Sequence, residues 1–174
     1  NLRCRYCFYA DVSEHREVAS YGIMSSETAH TLIDRMFARL SEAGHVQFTF
    51  QGGEPTLAGL DFFRDFCDYA AEKNTRGHEI SYAIQTNGML LDDAFCAFLA
   101  EHNFLVGLSL DGDELTHDRN RVDAAGKGTH RHLMQTVARM RRHGVEFNIL
   151  AVVTESMAKH PTATFRFFMK NGMD

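Results

Sequence analysis

Four short stretches of the chain are rich in β-branched, aromatic and other apolar residues, and turn-forming residues follow each of them. They are the runs 46–50, 80–84, 105–110 and 147–153. Runs of this length and composition, closed by glycine, asparagine, aspartate or threonine, are typical of buried β-strands. The pattern therefore predicts four strands.

Helix-length segments lie between and after these runs, at 27–43, 60–73, 92–102, 129–143 and 162–170. In the first segment Leu32, Met36 and Leu40 recur at helical spacing, which predicts that they face the core. Gly44 is the predicted end of that helix.

Regular alternation of strands and helices with short connections predicts βαβ units, an α/β fold and a parallel sheet. In such sheets and barrels, the loops that follow the carboxyl ends of the strands carry the chemistry. Here those loops contain glycine and polar residues, at 51–55, 86–88 and 111–112. We expect these three loops to meet on one rim.

Composition narrows the function classes. The chain has 174 residues, of which 44% are hydrophobic and 24% charged, as in one soluble globular domain. Its formal charge of −5 argues against a nucleic-acid partner, which usually requires a basic surface. No apolar run reaches the roughly 20 residues that span a bilayer, so we expect no membrane partner. The four cysteines do not make a disulfide framework, which predicts a reducing, cytoplasmic location.

The four cysteines fall into two pairs of different character. Cys67 and Cys96 lie in apolar helical stretches and are predicted to be buried structural thiols. Cys4 and Cys7 lie three residues apart in a polar loop, where two thiolates could hold one metal centre. Thiolates favour zinc or an iron–sulfur cluster, and either needs further ligands. His15 is a conceivable third ligand for zinc.

A second motif, Gln51-Gly52-Gly53-Glu54-Pro55, follows the first predicted strand. Glycines lack a Cβ and let the backbone approach a ligand closely, although a diglycine is often only a turn. Glu54 places a carboxylate at the same point.

Together, the cysteine pair and the Gly-Gly-Glu loop resemble the radical S-adenosylmethionine (AdoMet) superfamily. Its hallmark, C-x-x-x-C-x-x-C, supplies three thiolates to a 4Fe–4S cluster whose fourth iron binds AdoMet. Cys4 and Cys7 match the second and third of these cysteines, so the first would immediately precede Asn1.

Further motifs follow in the order found in the anaerobic sulfatase-maturating branch of that superfamily. They are the segments 85–88, 108–112, 117–121 and 128–129. The resemblance implies a partial, TIM-like (β/α) barrel of the radical AdoMet type, with residues 1–174 forming an incomplete core domain that lacks its first and last strands. A general base and a cysteine-rich domain with auxiliary clusters would lie beyond Asp174.

The resemblance also implies roles for individual residues. Cys4 and Cys7 would ligate the 4Fe–4S cluster, and Tyr6 would pack near the adenine of AdoMet. The 52–54 stretch (Gly52, Gly53, Glu54) would receive the methionyl amino group. Three further residues complete the implied site, in which Ser109 would hydrogen-bond the cofactor, Arg121 would pair with its carboxylate, and Tyr9 would face a substrate peptide.

The implied reaction is reductive cleavage of AdoMet to a 5′-deoxyadenosyl radical. That radical would take a β-hydrogen from a Cys or Ser of a sulfatase, which leads to Cα-formylglycine. The implied partners are the sulfatase polypeptide and an electron donor such as a flavodoxin or ferredoxin. Two alternatives stay open at this point: another peptide-modifying radical enzyme that forms thioether or carbon–carbon crosslinks, and a non-catalytic metal-binding module.

Overall fold

The structure is a computed structural model, and it describes residues 1–7, 9, 15–18 and 20–173. Its centre is a parallel sheet in the order β1-β2-β3-β4. The strands are β1 (His45–Phe50), β2 (Glu79–Thr86), β3 (Leu105–Ser109) and β4 (Phe147–Leu150). The α/β class and the four strands are confirmed, although the last strand ends at Leu150, before the end of its apolar run.

Helices connect the strands and cover one face of the sheet. They are α1 (Ser26–Arg39), α2 (Leu60–Lys73), α3 (Asp93–Glu101), α4 (Glu114–Asp118), α5 (His130–His143), α6 (Glu155–Lys159) and α7 (Pro161–Lys170), with a 3-10 turn at Pro55–Ala58. The two shortest helices, α4 and α6, were not predicted, because each has only about one turn and shows no periodic pattern. Within the described residues, no helix has the length and apolar character needed to cross a membrane.

Helix α1 differs from the prediction in its end and its buried face. It ends at Arg39, because Leu40 adopts an extended conformation well before Gly44. The buried residues of α1 are Ala29, Ile33 and Phe37.

The predicted stripe is confirmed only in part, because Met36 and Leu40 pack against the core while the buried Ile33 and Phe37 lie one position further along the helix. Leu32 is 43% exposed, and Met36 and Leu40 are only partly buried. Both sets of residues have helical spacing, and tertiary packing decides between them: Phe37 meets Phe48 of β1 edge-on, with 6.5 Å between ring centroids.

An aromatic cluster fills the space between the sheet and its helices. Tyr82 stacks on Phe104 at 5.0 Å, and Phe48 meets Phe66 edge-on at the same centroid distance. Edge-on and offset ring pairs of this kind add to the free energy of burial. This packing fixes the strands, and with them the edge at which their carboxyl ends meet.

The register of the parallel strands determines where each strand ends relative to its neighbours. Phe50 of β1 pairs with Ile84 of β2, and Thr86 pairs with Leu108 of β3. Ser109 in turn pairs with Leu150 of β4. The loops after all four strands therefore emerge at the same end of the sheet, as predicted for the three loops at 51–55, 86–88 and 111–112.

Candidate active site

A cavity of about 1160 Å³ opens at the carboxyl end of β1. Cys4 and Cys7 line it together with the Gly52–Glu54 loop, and Tyr9 contributes to the same wall. Residues separated by almost fifty positions in the sequence thus share one space. This is the juxtaposition that the two motifs predicted.

The cysteine loop is a tight turn in which the Cys7 N–H donates to the Cys4 carbonyl at 3.1 Å. Both thiols are free and partly exposed. Burial raises the pKa of the Cys4 thiol, and the nearby Arg121 charge opposes that shift.

No group of three His, Cys, Asp or Glu side chains forms a metal-binding cluster in the described part of the chain. The zinc site completed by His15 is therefore not formed among these residues. Two thiols on the wall of a large cavity instead fit a soft metal centre that takes other ligands from elsewhere.

Backbone pairing attaches the cysteine loop to the segment that follows α4. The Arg3 N–H donates to the Val122 carbonyl at 2.8 Å, and the Arg5 N–H donates to the Asn120 carbonyl at 2.9 Å. The residue between those two acceptors is Arg121. The loop that would hold a cluster and the predicted cofactor-binding arginine therefore belong to one hydrogen-bonded unit.

The diglycine adopts backbone conformations that other residues rarely take. Gly52 has φ +105° and Gly53 has φ +48°. A Cβ on Gly52 would lie 3.7 Å from the hydroxyl of Tyr9. The loop therefore turns sharply beside Tyr9 and presents its backbone to the cavity.

Glu54 is buried, and its carboxylate forms hydrogen bonds both within the loop after β1 and to the loop after β2. Its Oε1 accepts hydrogen bonds from the Thr56 N–H (3.0 Å), the Thr56 hydroxyl (2.6 Å) and the Thr86 hydroxyl (2.7 Å). Its Oε2 accepts from the Asn87 N–H at 2.8 Å. Both oxygens are thus engaged by the protein, so this side chain holds the loop in shape while the neighbouring backbone faces the cavity.

Arg121 binds the carboxylate of Asp111, a partner that was not predicted from the sequence. Its Nε and Nη2 donate to the two carboxylate oxygens of Asp111, at 2.9 and 3.1 Å. The Tyr6 hydroxyl donates to the same carboxylate, and the Arg121 guanidinium lies 5.4 Å from the Tyr6 ring centroid. Burial and the hydrogen bond to Asp111 raise the pKa of Tyr6. Asp111 belongs to the 108–112 motif, but the residues around it in the sequence do not indicate that its carboxylate binds Tyr6 and Arg121.

Ser109, at the end of β3, lies next to a side-chain amide that was also not predicted. Gln85 donates from Nε2 to the Ser109 hydroxyl oxygen at 3.0 Å. The same amide crosses Gly107, where a Cβ would come within 2.1 Å of it. Because Ser109 accepts this bond, its own hydroxyl proton can still be donated to a ligand.

His117 forms hydrogen bonds with the loop after β3 and with Thr129. Its Nδ1 accepts from the Asp111 N–H at 3.3 Å, and its Nε2 pairs with the Thr129 hydroxyl at 3.0 Å. Burial, and secondly the charge of Arg121, lower the pKa of His117 to about 4. The histidine is therefore neutral near pH 7 and acts as a structural hydrogen-bonding group.

Comparison with known proteins decides the family. The family model described as the radical SAM superfamily matches residues 1–166. The chain belongs to this superfamily. Among curated proteins, this radical SAM chain is 42% identical to the cysteine-type anaerobic sulfatase-maturating enzyme of Clostridium novyi, over 98% of this chain and 45% of that protein. It is 36% identical to the serine-type enzyme of Bacteroides thetaiotaomicron, over 97% of this chain and 40% of that protein.

Solved structures show the same relationship. Native anSMEcpe with bound AdoMet superposes with a TM-score of 0.93 at 40% identity, covering 99% of this chain and 47% of that one. The same protein with bound AdoMet and the Kp18Cys peptide gives a TM-score of 0.91 at 39% identity, over 99% and 46%. The chain thus spans about half the length of these relatives, and its partial radical SAM barrel is confirmed.

Proposed function

We propose that this chain is the AdoMet-binding radical domain of an enzyme that oxidises a Cys or Ser of a sulfatase to Cα-formylglycine. The observation that carries the proposal is the shared cavity, on whose wall Cys4, Cys7 and the Gly52–Glu54 loop lie together. Similarity to both cysteine-type and serine-type sulfatase-maturating enzymes supports the choice of reaction.

Cys4 and Cys7 would provide two of the three thiolate ligands of a 4Fe–4S cluster. When bound, the cluster and AdoMet would supply the radical chemistry, and the protein would supply orientation and exclusion of water. A flavodoxin or ferredoxin would supply the electrons. The thiols already share the cavity with the loop that would bind the cofactor, so little rearrangement of these elements is needed.

The residues that would bind AdoMet come from the other loops. The backbone of Gly52 and Gly53 would meet its methionyl amino group, and Glu54 would keep that loop in place. Ser109 would donate its hydroxyl proton to the cofactor, and Tyr6 would lie near the adenine. Arg121 would share its guanidinium between the cofactor carboxylate and Asp111, because two of its nitrogens already bind that aspartate.

The size of the cavity fits a cofactor together with a peptide side chain. Pockets for small ligands usually measure roughly 300–1,000 Å³, and this one is about 1160 Å³. Tyr9 lies on its wall and would face the substrate. Tyr21 and Ile23 also line the cavity and are 87% and 61% exposed, which gives an extended peptide an apolar surface to lie on.

The higher identity to the cysteine-type enzymes favours a cysteine as the target residue. The test is to incubate the anaerobically reconstituted full-length protein with AdoMet, a reductant and two matched sulfatase peptides that differ only in Cys or Ser at the target position. We expect an aldehyde at that position, seen by mass spectrometry and by hydrazide capture, and faster with the Cys peptide. AdoMet cleavage with a thioether or carbon–carbon crosslink, and no aldehyde, would assign a different peptide modification.

A further inference from the structure

We propose that Asp111 is a positioning residue, whose carboxylate fixes Tyr6 and Arg121, and with them the cysteine loop, against the carboxyl end of β3. The inference rests on the proposed function for the role of that loop. The contacts themselves are independent of it.

The carboxylate of Asp111 is fully used by the protein. Oδ2 accepts from the Tyr6 hydroxyl and from the Arg121 Nε, and Oδ1 accepts from the Arg121 Nη2. Oδ1 also accepts from the Val152 N–H at 2.9 Å. Asp111 is only 1% exposed. Its carboxylate therefore has no role as a solvent-facing acid or base in this arrangement.

These bonds connect four separate segments at one point. Tyr6 lies between the two cysteines, Arg121 follows α4, Val152 follows β4, and Asp111 itself follows β3. Residues 1–7 are also held by backbone hydrogen bonds to Asn120 and Val122, on either side of Arg121, and the Asn87 Nδ2 donates to the Asn1 Oδ1 at 2.7 Å. Asp111 therefore binds the cysteine loop twice, directly through the Tyr6 hydroxyl and indirectly through Arg121, whose neighbours pair with the backbone of that loop.

A charged carboxylate is needed here because its main partner is a buried cation. Arg121 is 7% exposed and binds Asp111 in the bidentate geometry that guanidinium and carboxylate share. Removing one member of a buried ion pair leaves the other charge uncompensated. An Asn in place of Asp111 would also turn an amide NH₂ toward donors, since only one of its two polar atoms can accept. Arg121 and Tyr6 would then lose their common anchor.

The test uses hydrogen–deuterium exchange of the cluster-free full-length protein, so that it does not depend on cofactor loading. Asp111→Asn should increase exchange of the amides in residues 1–7 about tenfold, the change expected when a buried hydrogen bond to a charged group is lost. Exchange in α2 should stay unchanged. Asp113→Asn is the matched control, because Asp113 is an exposed cap of α4 and Asn also caps helices.

Tyr6→Phe provides a milder second variant in case Asp111→Asn does not fold. It removes one hydroxyl and keeps the ring, and it should increase exchange in residues 1–7 by a few-fold with α2 unchanged. If both variants leave exchange in residues 1–7 as in the parent, or if exchange rises equally in α2, Asp111 has no specific positioning role.

A second readout addresses the cofactor. In the reconstituted full-length enzyme, Asp111→Asn should raise the Kd for AdoMet about tenfold and alter the electron paramagnetic resonance spectrum of the reduced cluster, while Asp113→Asn should change neither. Parent-like affinity and spectrum in Asp111→Asn would overturn the proposal while leaving the proposed function intact. A parent protein that binds neither cluster nor AdoMet would instead refute the proposed function, and the exchange data would still decide the positioning role.

Discussion

The hydroxyl of Thr86 donates to the carboxylate of Glu54 across 2.7 Å, and this bond joins the end of β2 to the loop after β1. The same Thr86 hydroxyl oxygen accepts from the Gly88 N–H at 3.0 Å. The loop that would meet the methionyl amino group of AdoMet is therefore held together with the loop after β2 in one buried network.

Thr86→Val should lower the free energy of unfolding by about 1–3 kcal/mol, because it removes one of the three hydrogen bonds to Glu54 Oε1 and takes away the acceptor of the buried Gly88 N–H. Urea denaturation measures the change. Thr31→Val is the control, since the Thr31 hydroxyl bonds the Glu27 carbonyl on an exposed helix surface and its loss should cost within about 0.5 kcal/mol. Equal losses in the two variants would contradict this account of Thr86.

Gly88→Ala should destabilise the protein more than Gly77→Ala. Both glycines have positive φ, +73° and +69°, so each substitution carries a similar backbone cost. A Cβ on Gly88 would also come within 2.7 Å of methyl groups of Leu108 and Leu133, whereas nothing lies within 4 Å of one on Gly77. Overpacking should add about 1–3 kcal/mol at Gly88, and thermal or urea unfolding of the two variants would show it. A difference near zero would mean that the surrounding core yields freely.

Much of the fold is readable from the chain because its strands and longer helices are local patterns. Helix α2 follows apolar spacing from Leu60 to Lys73, and α5 ends before Gly144, which adopts the left-handed conformation typical of a helix end. The buried face of α1 was not readable in the same way. Periodicity alone cannot choose between adjacent sets of residues when the contact of Phe37 with Phe48 decides.

In the candidate site, too, contiguous motifs could be predicted from the sequence, whereas contacts between distant residues could not. The cysteine pair and the Gly52–Glu54 loop are contiguous motifs, so the sequence indicates them directly. The bond between Tyr6 and Asp111 joins residues 105 positions apart. It exists only because parallel pairing brings the end of β3 beside the cysteine loop. The roles assigned to Ser109, Arg121, Tyr6 and Tyr9 toward bound cofactor or substrate stay predictions.

His117 should make stability depend on pH between about 6.5, the usual histidine pKa, and its folded value of about 4. In that window the unfolded chain binds a proton that the folded chain does not, so stability is fully present above about pH 6.5 and falls as the pH decreases toward 4. The contribution is about 3 kcal/mol over the whole window.

Replacing this histidine tests the source of that dependence. His117→Gln should lose part of the stability near pH 7 and show a flatter decline between about pH 6.5 and 4.5. The exposed His132→Gln should keep the parent slope. Urea denaturation at several pH values measures both, and identical slopes in His117→Gln and the parent would place the titrating group elsewhere.

The central claim is that Cys4 and Cys7, beside the Gly52–Glu54 loop, hold the metal centre of a radical AdoMet enzyme. The buried cysteines Cys67 and Cys96 provide matched controls, because they are also free thiols but lie in the core. Each cysteine is replaced by Ala in the full-length protein, which is then reconstituted anaerobically with iron and sulfide. The decisive measurement is 5′-deoxyadenosine released from AdoMet under reducing conditions.

We predict release by the parent, Cys67→Ala and Cys96→Ala, and a loss of at least about 100-fold in Cys4→Ala and Cys7→Ala, since altering metal binding even indirectly costs 10–100-fold. Undiminished release from Cys4→Ala or Cys7→Ala, or no release by the parent with iron bound, would contradict the account.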